Sequence, residues 1–470
     1  MRCLLIGLLL LLLPIAAPAD PKSEDVAKRI AKAGFAAEDI GFVVVDLDQG
    51  RPVAEWNADQ LFIPASVAKL ATVYAAEKIL GPDFRFGTRL MRAGDTLYLQ
   101  GGGDPVLTNL ELGELARNLK AMPVTGAWKT FAYDTSALEG APEVDGGQPV
   151  QAVYNAGFGA LDLDFNRIQV NWSRDDEGKL AFKARAVADG LNVPADWIDF
   201  LPAESAPPGA NFLYAGDANG DKWLYAPGLP ETLEEDGAIF LPVRNPGLNT
   251  ARVFRRIAAD LGMKLPEPRA ASTPADAQPI AAVESPPLSD IIKGLLKYSN
   301  NITAELIGAT AMSRQSGRTL KPSESGAALG LWLADQFPAT QWRGFRLVNH
   351  SGLSSSNRAS PRQIAAILTA LSRDPVLAGL MNRIMTDDPK AEAAAKTGTM
   401  DFACGLAGLF TGKSGRRFAF AIFITDRDRR AALDATADRR ILAPAPGARG
   451  WLGRAHGLEN ALLKDWRDRL

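Results

Sequence analysis

Histidine is scarce in this chain of 470 residues, which contains only His350 and His456. A zinc centre built from several histidines is therefore excluded, and a Ser-His-Asp triad would have to use one of these two side chains. Nucleophilic and acid–base chemistry must instead draw on serine, lysine, aspartate and glutamate.

An excess of charge of one sign is also lacking, because 52 Lys and Arg residues face 54 Asp and Glu residues, for a formal net charge of -2. The sequence contains no block of like charge. A basic footprint for nucleic acid is absent, so no nucleic-acid partner is expected. The composition favours a small-molecule or peptide substrate.

Cysteine and long apolar runs are scarce as well. Arg2, the apolar run over residues 3–13 and the small-x-small pattern Ala17-Pro18-Ala19 predict a signal peptide over residues 1–19, cleaved near Ala19. The alternative, an uncleaved anchor, would need a longer run to span a bilayer.

Cleavage leaves Cys404, which lies in an apolar stretch typical of a core residue, and no internal disulfide is expected. An exported chain without disulfides favours a bacterial, periplasmic protein.

The length exceeds what one compact core usually holds, so two or more domains are expected. An amphipathic helix is predicted over residues 23–32 with Ser23 as its N-cap, followed by a β-hairpin over residues 41–56 and a buried helix over residues 65–79. Further helices are predicted over residues 288–297, 302–312, 360–373 and 458–470, and strands over residues 396–400, 405–410 and 418–425.

Residues 89–266 show a different pattern, with short alternating runs separated by Gly, Pro, Asp and Asn. This pattern predicts a mostly β region that contains one helix over residues 250–261. Six prolines lie between Pro266 and Pro287, which predicts a linker at the end of the region.

Ser66-Val67-Ala68-Lys69 is the only Ser-x-x-Lys sequence in the chain. Pro64-Ala65 precede it and a helical run follows, so Ser66 is expected at a helix N-terminus, where backbone N–H groups favour developing negative charge. Positions three apart share a helix face, so Lys69 can reach Ser66, and a lysine in a dry site can act as a base. The ordinary alternative is a capping serine beside a surface lysine, against which the apolar neighbours of Lys69 argue.

Two more short sequences carry polar groups suited to a cleft. Tyr298-Ser299-Asn300-Asn301 lies between two helical runs, where an N-capping cluster is the alternative interpretation. Lys396-Thr397-Gly398-Thr399 lies on a predicted strand, where glycine lets a ligand approach the backbone. The similar sequences at residues 355–357 and 413–415 fall in a polar loop and at a hairpin tip, where turn chemistry explains them.

In this order, Ser-x-x-Lys, Ser-x-Asn and Lys-Thr-Gly resemble the penicilloyl-serine transferase superfamily. The spacing, 233 residues from Ser66 to Ser299 and 97 from Ser299 to Lys396, resembles that of the penicillin-binding protein 4-like D-alanyl-D-alanine carboxypeptidases/endopeptidases. Further stretches are similar to that family, namely residues 101–105, 154–156, 285–288, 297–305 and 351–354.

The resemblance implies a fold and a domain organisation. The expected fold is α/β (α+β), a transpeptidase/β-lactamase-like domain in which helices flank an antiparallel sheet. Residues 20–88 and 285–470 would form this discontinuous catalytic domain. Residues 89–284 would form a β-rich insertion between the first two motifs, ending in the Pro-rich linker.

The resemblance also implies roles for the motif residues. Ser66 would attack the carbonyl of the penultimate D-alanine and Lys69 would take its proton. Ser299 would relay a proton to the leaving amine, Asn301 would hydrogen-bond the substrate backbone, and Lys396 would keep the site electropositive. Thr397 and Thr399, on either side of Gly398, would hold the terminal carboxylate, and the N–H groups of Ser66 and Thr399 would form the oxyanion hole.

Two departures from the family pattern bear on how the peptide stem is bound. Asn349-His350 stands where the family usually has Asp-Gly. The segment over residues 381–395 is also short, with residues 385–388 in place of a longer loop. These departures bear on the side-chain preference for the stem and on the endopeptidase activity.

The expected activity is that of a serine-type D-Ala-D-Ala carboxypeptidase or DD-endopeptidase. Its expected partners are peptidoglycan stem peptides and β-lactams as covalent inhibitors, with at most peripheral membrane association and with no cofactor or metal. One alternative is a β-lactamase or esterase, which would need a deacylating base. Another is a non-catalytic protein that binds peptidoglycan or β-lactams.

Overall fold

The computed structural model describes residues 21–122, 127–174, 176–178, 180–188, 191–374 and 393–470. The expected leader and most of the short segment before Lys396 lie outside the described residues. The helices are α1 (Pro21–Lys32), α2 (Lys69–Leu80), α3 (Asn109–Ala121), α4 (Leu229–Thr232), α5 (Pro246–Asp260), α6 (Leu288–Tyr298), α7 (Asn301–Ser316), α8 (Pro322–Gln336), α9 (Pro361–Leu371), α10 (Arg427–Thr436) and α11 (Ala448–Arg469).

The strands of the described residues are two to nine residues long. They are β1 (Ile40–Asp46), β2 (Arg51–Trp56), β3 (Gly87–Ala93), β4 (Thr96–Gln100), β5 (Thr130–Asp134), β6 (Arg167–Arg174), β7 (Leu180–Ala188), β8 (Leu191–Pro194), β9 (Asp199–Pro202), β10 (Phe212–Tyr214), β11 (Lys222–Tyr225), β12 (Asp236–Pro242), β13 (Arg269–Ala270), β14 (Gln278–Glu284), β15 (Ala393–Met400), β16 (Ala403–Thr411) and β17 (Arg417–Thr425).

An antiparallel sheet of five strands joins the two ends of the chain, in the order β15-β16-β17-β1-β2. Its inner strands are apolar because both faces are covered. Helices α2, α6, α7, α8 and α9 contribute to the core on one face, and α1 and α11 to the core on the other. The expected α+β fold with an antiparallel sheet between helices is confirmed.

Helix α2 carries the first motif into the middle of this domain. Its residues from Lys69 to Glu77 are all buried. Small side chains such as Ala71 and Ala75 let it pack closely against α7 and α9. A helix that is apolar on every side fits such a central position.

The described residues between α2 and α6 form three further sheets, with orders β13-β5-β4-β3-β14, β12-β6-β7-β8 and β10-β11-β9. Strand β3 follows α2 along the chain, and β14 precedes α6. The two strands pair antiparallel, with Gly87 opposite Glu284. The β-rich character predicted for this region is therefore present, and α3 is a helix that the sequence pattern missed.

Three local predictions were wrong. The Pro-rich stretch predicted as a linker contains β13 and β14, which are the edge strands of their sheet, where proline such as Pro279 is tolerated. Helix α1 begins at Pro21, so Ser23 is not its N-cap. Helix α11 begins at Ala448, ten residues before the predicted start. Its stripe of Leu458, Leu462 and Trp466 is buried, as expected for a core-facing helix.

No helix within the described ranges has the length and apolar character needed to span a membrane.

Candidate active site

Ser66 lies in a 3-10 turn, Ala65–Ala68, that leads directly into α2. Ala65 adopts φ 45°, a left-handed conformation that is strained for a residue with a side chain. Two glycines enclose the turn. A Cβ at Gly352 would lie 1.9 Å from the Ala65 carbonyl oxygen, and a Cβ at Gly398 would lie 3.0 Å from the Ser66 nitrogen. The backbone of the nucleophile candidate is therefore held by close contacts from two directions.

The Lys69 amine connects the motif residues. Its Nζ lies 2.9 Å from Ser66 Oγ, 2.7 Å from Asn301 Oδ1 and 2.7 Å from the Ser351 carbonyl oxygen. The side chain is fully buried. These three partners fix the amine on the hydroxyl of Ser66, which is the geometry of a nucleophile and its base.

The environment of Lys69 favours its neutral form. Burial is the main cause that holds its pKa well below the usual range, and the positive charge of Lys396 lowers it further. The negative charge of Glu305 acts in the opposite direction. Lys69 is thus not a surface lysine, and its lowered pKa makes the amine better suited to accept a proton than an ordinary lysine.

A buried carboxylate supports the loop behind Lys69. Glu305 on α7 accepts hydrogen bonds from the Ser351 N–H at 2.8 Å and the His350 N–H at 3.0 Å. The Ser351 carbonyl in turn accepts the bond from Lys69. Burial raises the pKa of Glu305, whereas the bonds from Ser351 and His350 lower it. Glu305 lies in a stretch that resembles the family, but no role was predicted for it.

His350 is a buried neutral side chain of this loop. Burial lowers its pKa to about 4, and its Nε2 lies 2.8 Å from Ser325 Oγ. Its ring packs on α7, where a Cβ at Gly308 would lie 2.3 Å from the ring. The histidine that departs from the family pattern is therefore a packing group next to the site, and it does not replace Lys69 as the base.

The second motif forms the turn between α6 and α7. Ser299 adopts φ 59° and ends α6, while Asn300 caps α7 by accepting a hydrogen bond from the Thr303 N–H at 2.9 Å. Asn301 is buried. Its Oδ1 accepts from Lys69, and its Nδ2 donates to the Tyr154 carbonyl at 2.9 Å. The turn therefore caps a helix and also directs Asn301 into the site.

The third motif lies on β15, the edge strand of the sheet. Period-two alternation buries Lys396 and Gly398 and exposes Thr397 and Thr399. Lys396 Nζ donates to the Thr397 carbonyl at 2.7 Å, and burial lowers its pKa to about 8. Gly398 allows the strand to approach Ser66.

The competing Ser-x-Asn sequence is structural. Asn357 is buried, and its side chain accepts from the Val348 N–H at 2.7 Å and donates to Asn349 Oδ1 at 2.9 Å. It braces the loop that contains His350 and Ser351. The structure thus joins Ser66, Lys69 and Asn301 by direct hydrogen bonds and brings Gly398 of the third motif against Ser66. Ser299 is placed by its position in the turn, two residues before Asn301.

Comparison with known proteins agrees with this arrangement. The model of the D-Ala-D-Ala carboxypeptidase 3 (S13) family matches residues 22–441. The chain belongs to this family. The expectation of a serine-type D-Ala-D-Ala carboxypeptidase is thereby confirmed at the level of the family.

Two curated relatives of this S13 chain are D-alanyl-D-alanine carboxypeptidases. That of Actinomadura sp. (strain R39) is 26% identical over 428 residues, which cover 81% of this chain and 77% of the relative. DacB of Haemophilus influenzae is 22% identical over 423 residues, which cover 82% and 85%. The crystal structure of penicillin binding protein 4 (dacB) from H. influenzae superimposes with a TM-score of 0.72 at 19% identity, covering 95% of this chain and 99% of that one.

One group of possible metal ligands occurs among the described residues of the S13 chain, formed by Cys404, His456 and Glu459. Cys404 Sγ donates to Glu459 Oε1 at 3.4 Å, and burial raises the pKa of the thiol well above its usual range and that of Glu459 to about 8. Thiol and carboxylic acid thus form a neutral pair at neutral pH. Cys404 packs on the α11 face of the sheet, opposite the face that carries Ser66, in agreement with its prediction as a core residue.

Proposed function

We propose that this S13 enzyme hydrolyses the D-Ala-D-Ala end of peptidoglycan stem peptides through an acyl-enzyme on Ser66. The observation that carries the proposal is the buried Lys69 amine, 2.9 Å from Ser66 Oγ and with a strongly lowered pKa. A serine hydroxyl becomes a useful nucleophile when an adjacent neutral base accepts its proton. Lys69 supplies that base in a chain with two histidines.

In the proposed acylation step, Ser66 Oγ attacks the carbonyl carbon of the penultimate D-alanine and its proton moves to Lys69 Nζ. The tetrahedral intermediate then collapses, the peptide C–N bond breaks and D-alanine leaves as the amine. We propose that Ser299 passes this proton to the leaving amine. Ser299 lies two residues from Asn301 in the same turn. Water hydrolyses the resulting ester and regenerates Ser66.

Substrate orientation is assigned to β15 and Asn301. The exposed side chains of Thr397 and Thr399 are available to the terminal carboxylate, and the Lys396 ammonium supplies a positive charge. Asn301 is held by Lys69 and the Tyr154 carbonyl, so its amide is fixed before the substrate arrives. Such preorganisation lowers the cost of ordering the site during the reaction.

The oxyanion hole is assigned to the backbone N–H groups of Ser66 and Thr399. Gly398 approaches the Ser66 nitrogen so closely that a Cβ on this glycine would lie 3.0 Å from it. This contact supports the assignment because it brings β15 and the turn of Ser66 together. Removing one donor from such a site typically costs about 3–4 kcal/mol of transition-state stabilisation.

The β-lactamase alternative requires a carboxylate that activates water for rapid deacylation. Glu305 is the carboxylate whose charge acts on Lys69, but its two oxygens accept bonds from the His350 and Ser351 N–H groups. This geometry favours a persistent penicilloyl-enzyme. We therefore expect β-lactams to be covalent inhibitors and poor substrates.

We further propose that residues 1–19 are a signal peptide and that the mature enzyme works in the periplasm. In the proposed division of the chain, residues 20–88 and 285–470 form the catalytic domain and residues 89–284 the insertion. The chain would enter the insertion through β3 and leave it through β14. The pairing of these two strands supports the proposal that the insertion begins and ends at one place. DD-endopeptidase cleavage of cross-links would use the same acyl-transfer chemistry.

The experiment that tests the function is release of D-alanine from a stem pentapeptide. The wild type should release it, and Ser66→Ala should reduce the rate to background. Thr436→Ala on α10, which removes an exposed hydroxyl, is a matched control that should keep the wild-type rate. A wild type that releases no D-alanine would contradict the proposal, and release by Ser66→Ala would exclude Ser66 as the nucleophile.

A further inference from the structure

A cavity of about 550 Å³ opens beside the turn that carries Ser299. Two of its lining residues, Tyr298 and Asn300, flank Ser299 in the chain. Its opposite wall comes from the insertion, through Phe165 and Arg167, so the cavity lies between the insertion and helices α6 and α7. Volumes of roughly 300–1,000 Å³ and positions between domains are typical of sites for small molecules.

The walls of the cavity present aromatic faces. Tyr298 is 73% exposed, and the Arg167 guanidinium lies over the ring of Phe165 at 5.9 Å and over that of Phe240 at 4.8 Å. The Lys297 ammonium lies 4.9 Å from the centre of the Tyr298 ring, and the exposed remainder of the ring offers a flat apolar surface to a ligand.

The backbone at Phe165 is strained. Residues 164–166 all have positive φ, with 50° at Asp164, 57° at Phe165 and 52° at Asn166. Buried Asn166 holds this conformation, because its Oδ1 accepts from the Leu163 N–H at 3.1 Å and its Nδ2 donates to the Gly157 carbonyl at 2.7 Å. Consecutive left-handed residues persist when the surrounding structure enforces them, and they cluster at ligand sites.

The charge of the cavity selects among ligands. Among the described residues that line it, Arg167 and Asp290 are the charged ones, so one positive and one negative charge balance. Asn300 and Thr303 add polar groups to the wall. A balanced charge disfavours a strongly anionic or cationic ligand. The mixture of flat apolar faces with hydrogen-bonding groups instead matches a neutral, polyhydroxylated molecule whose rings have apolar faces.

We propose that this cavity binds an N-acetylated disaccharide unit of the glycan strand to which the stem peptide is attached. The inference rests on the proposed function, because the sugar reaches the enzyme as part of the same substrate. Stacking on Tyr298 and Phe165 and hydrogen bonds to Arg167 and Asp290 hold the sugar beside the catalytic turn. The insertion then acts in substrate selection, since it makes the enzyme prefer stems that are still joined to glycan.

The test compares two substrates, a stem pentapeptide and the same pentapeptide attached to its disaccharide. For the wild type, kcat/KM should be at least about tenfold higher for the glycosylated substrate. Tyr298→Ala and Arg167→Ala should reduce this ratio towards one. Leu331→Ala on α8, which removes an equally exposed apolar side chain, should leave the ratio at the wild-type value.

Direct binding of the peptide-free disaccharide, measured by calorimetry, supplies a readout that is independent of catalysis. Binding to the wild type that is lost in Tyr298→Ala supports the proposal. Equal kcat/KM values for the two substrates, together with no binding of the disaccharide, would overturn the proposal. Variants that lower kcat/KM equally for both substrates would also overturn it, because the cavity would then bind peptide. If the wild type does not hydrolyse the free pentapeptide, the proposed function fails, whereas disaccharide binding still decides the role of the cavity.

Discussion

Replacing Glu305 by glutamine tests how the loop behind the site controls the basicity of Lys69. The carboxylate accepts the Ser351 N–H, and the carbonyl of the same residue accepts a bond from Lys69. Glu305 thus acts on the base in two ways, through its charge and through the position of a peptide group. Glutamine keeps the size of the side chain but removes the negative charge.

The expected shift follows from the sign of that charge. A negative group stabilises the ammonium form, so its removal lowers the pKa of Lys69 further and leaves the amine neutral at lower pH. We expect the acid limb of the kcat/KM profile to move down by about one pH unit, which corresponds to about 1.4 kcal/mol. Glutamine also turns an amide donor towards a backbone N–H, which should cost about 1–3 kcal/mol of folding stability.

The assay is the pH dependence of kcat/KM for D-alanine release, together with chemical denaturation. Thr72→Val is the matched control. Thr72 donates a hydrogen bond to the His350 carbonyl at 2.8 Å, so its loss loosens the same loop without changing charge. It should cost about 1 kcal/mol of stability and leave the acid limb in place. An unchanged or upward-shifted limb in Glu305→Gln, or an equal shift in Thr72→Val, would refute the reasoning.

Three further outcomes are expected. Because the pKa of Lys396 is about 8, activity should fall on an alkaline limb near that pH as its charge is lost, and Lys396→Arg should move the limb upwards. Gly398→Ala brings a Cβ to 3.0 Å from the Ser66 nitrogen and should lower kcat/KM by about 100-fold. Acylation of this variant by penicillin at the wild-type rate would contradict the expected loss. Gly308→Ala places a Cβ 2.3 Å from the His350 ring and should lower the free energy of unfolding by about 1–3 kcal/mol, as measured with urea. The same substitution should cost less in a His350→Ala background, where the ring is absent.

The sequence alone was enough to predict the catalytic sheet and the helices that carry the motifs. β1, β16 and β17 are nearly continuous apolar runs, because they are covered on both faces, and such runs are easy to recognise. Helix α3 was missed because it lies within a region dominated by short strands. The edge strands β13 and β14 were missed because their prolines resemble those of a linker, and only the partner strands show that they belong to a sheet.

The motif residues of the site were predictable, whereas their supports were not. Ser66 and Lys69 are three positions apart where a 3-10 turn leads into α2, so local helical geometry predicts their contact. Glu305 acts through backbone N–H groups 45 and 46 positions away in the sequence, and no local pattern encodes such a contact. The same holds for Gly398, whose close approach to Ser66 depends on how the strand and the turn pack.

The most direct test of the central claim is mass spectrometry of the protein after exposure to benzylpenicillin, followed by peptide mapping. We expect one intact penicillin per chain, attached to Ser66 and persistent on the time scale of the measurement. Ser66→Ala should acquire no adduct while retaining the wild-type fold by circular dichroism. An adduct on another residue, or a folded wild type that stays unmodified, would contradict the claim that Ser66 is the Lys69-activated nucleophile.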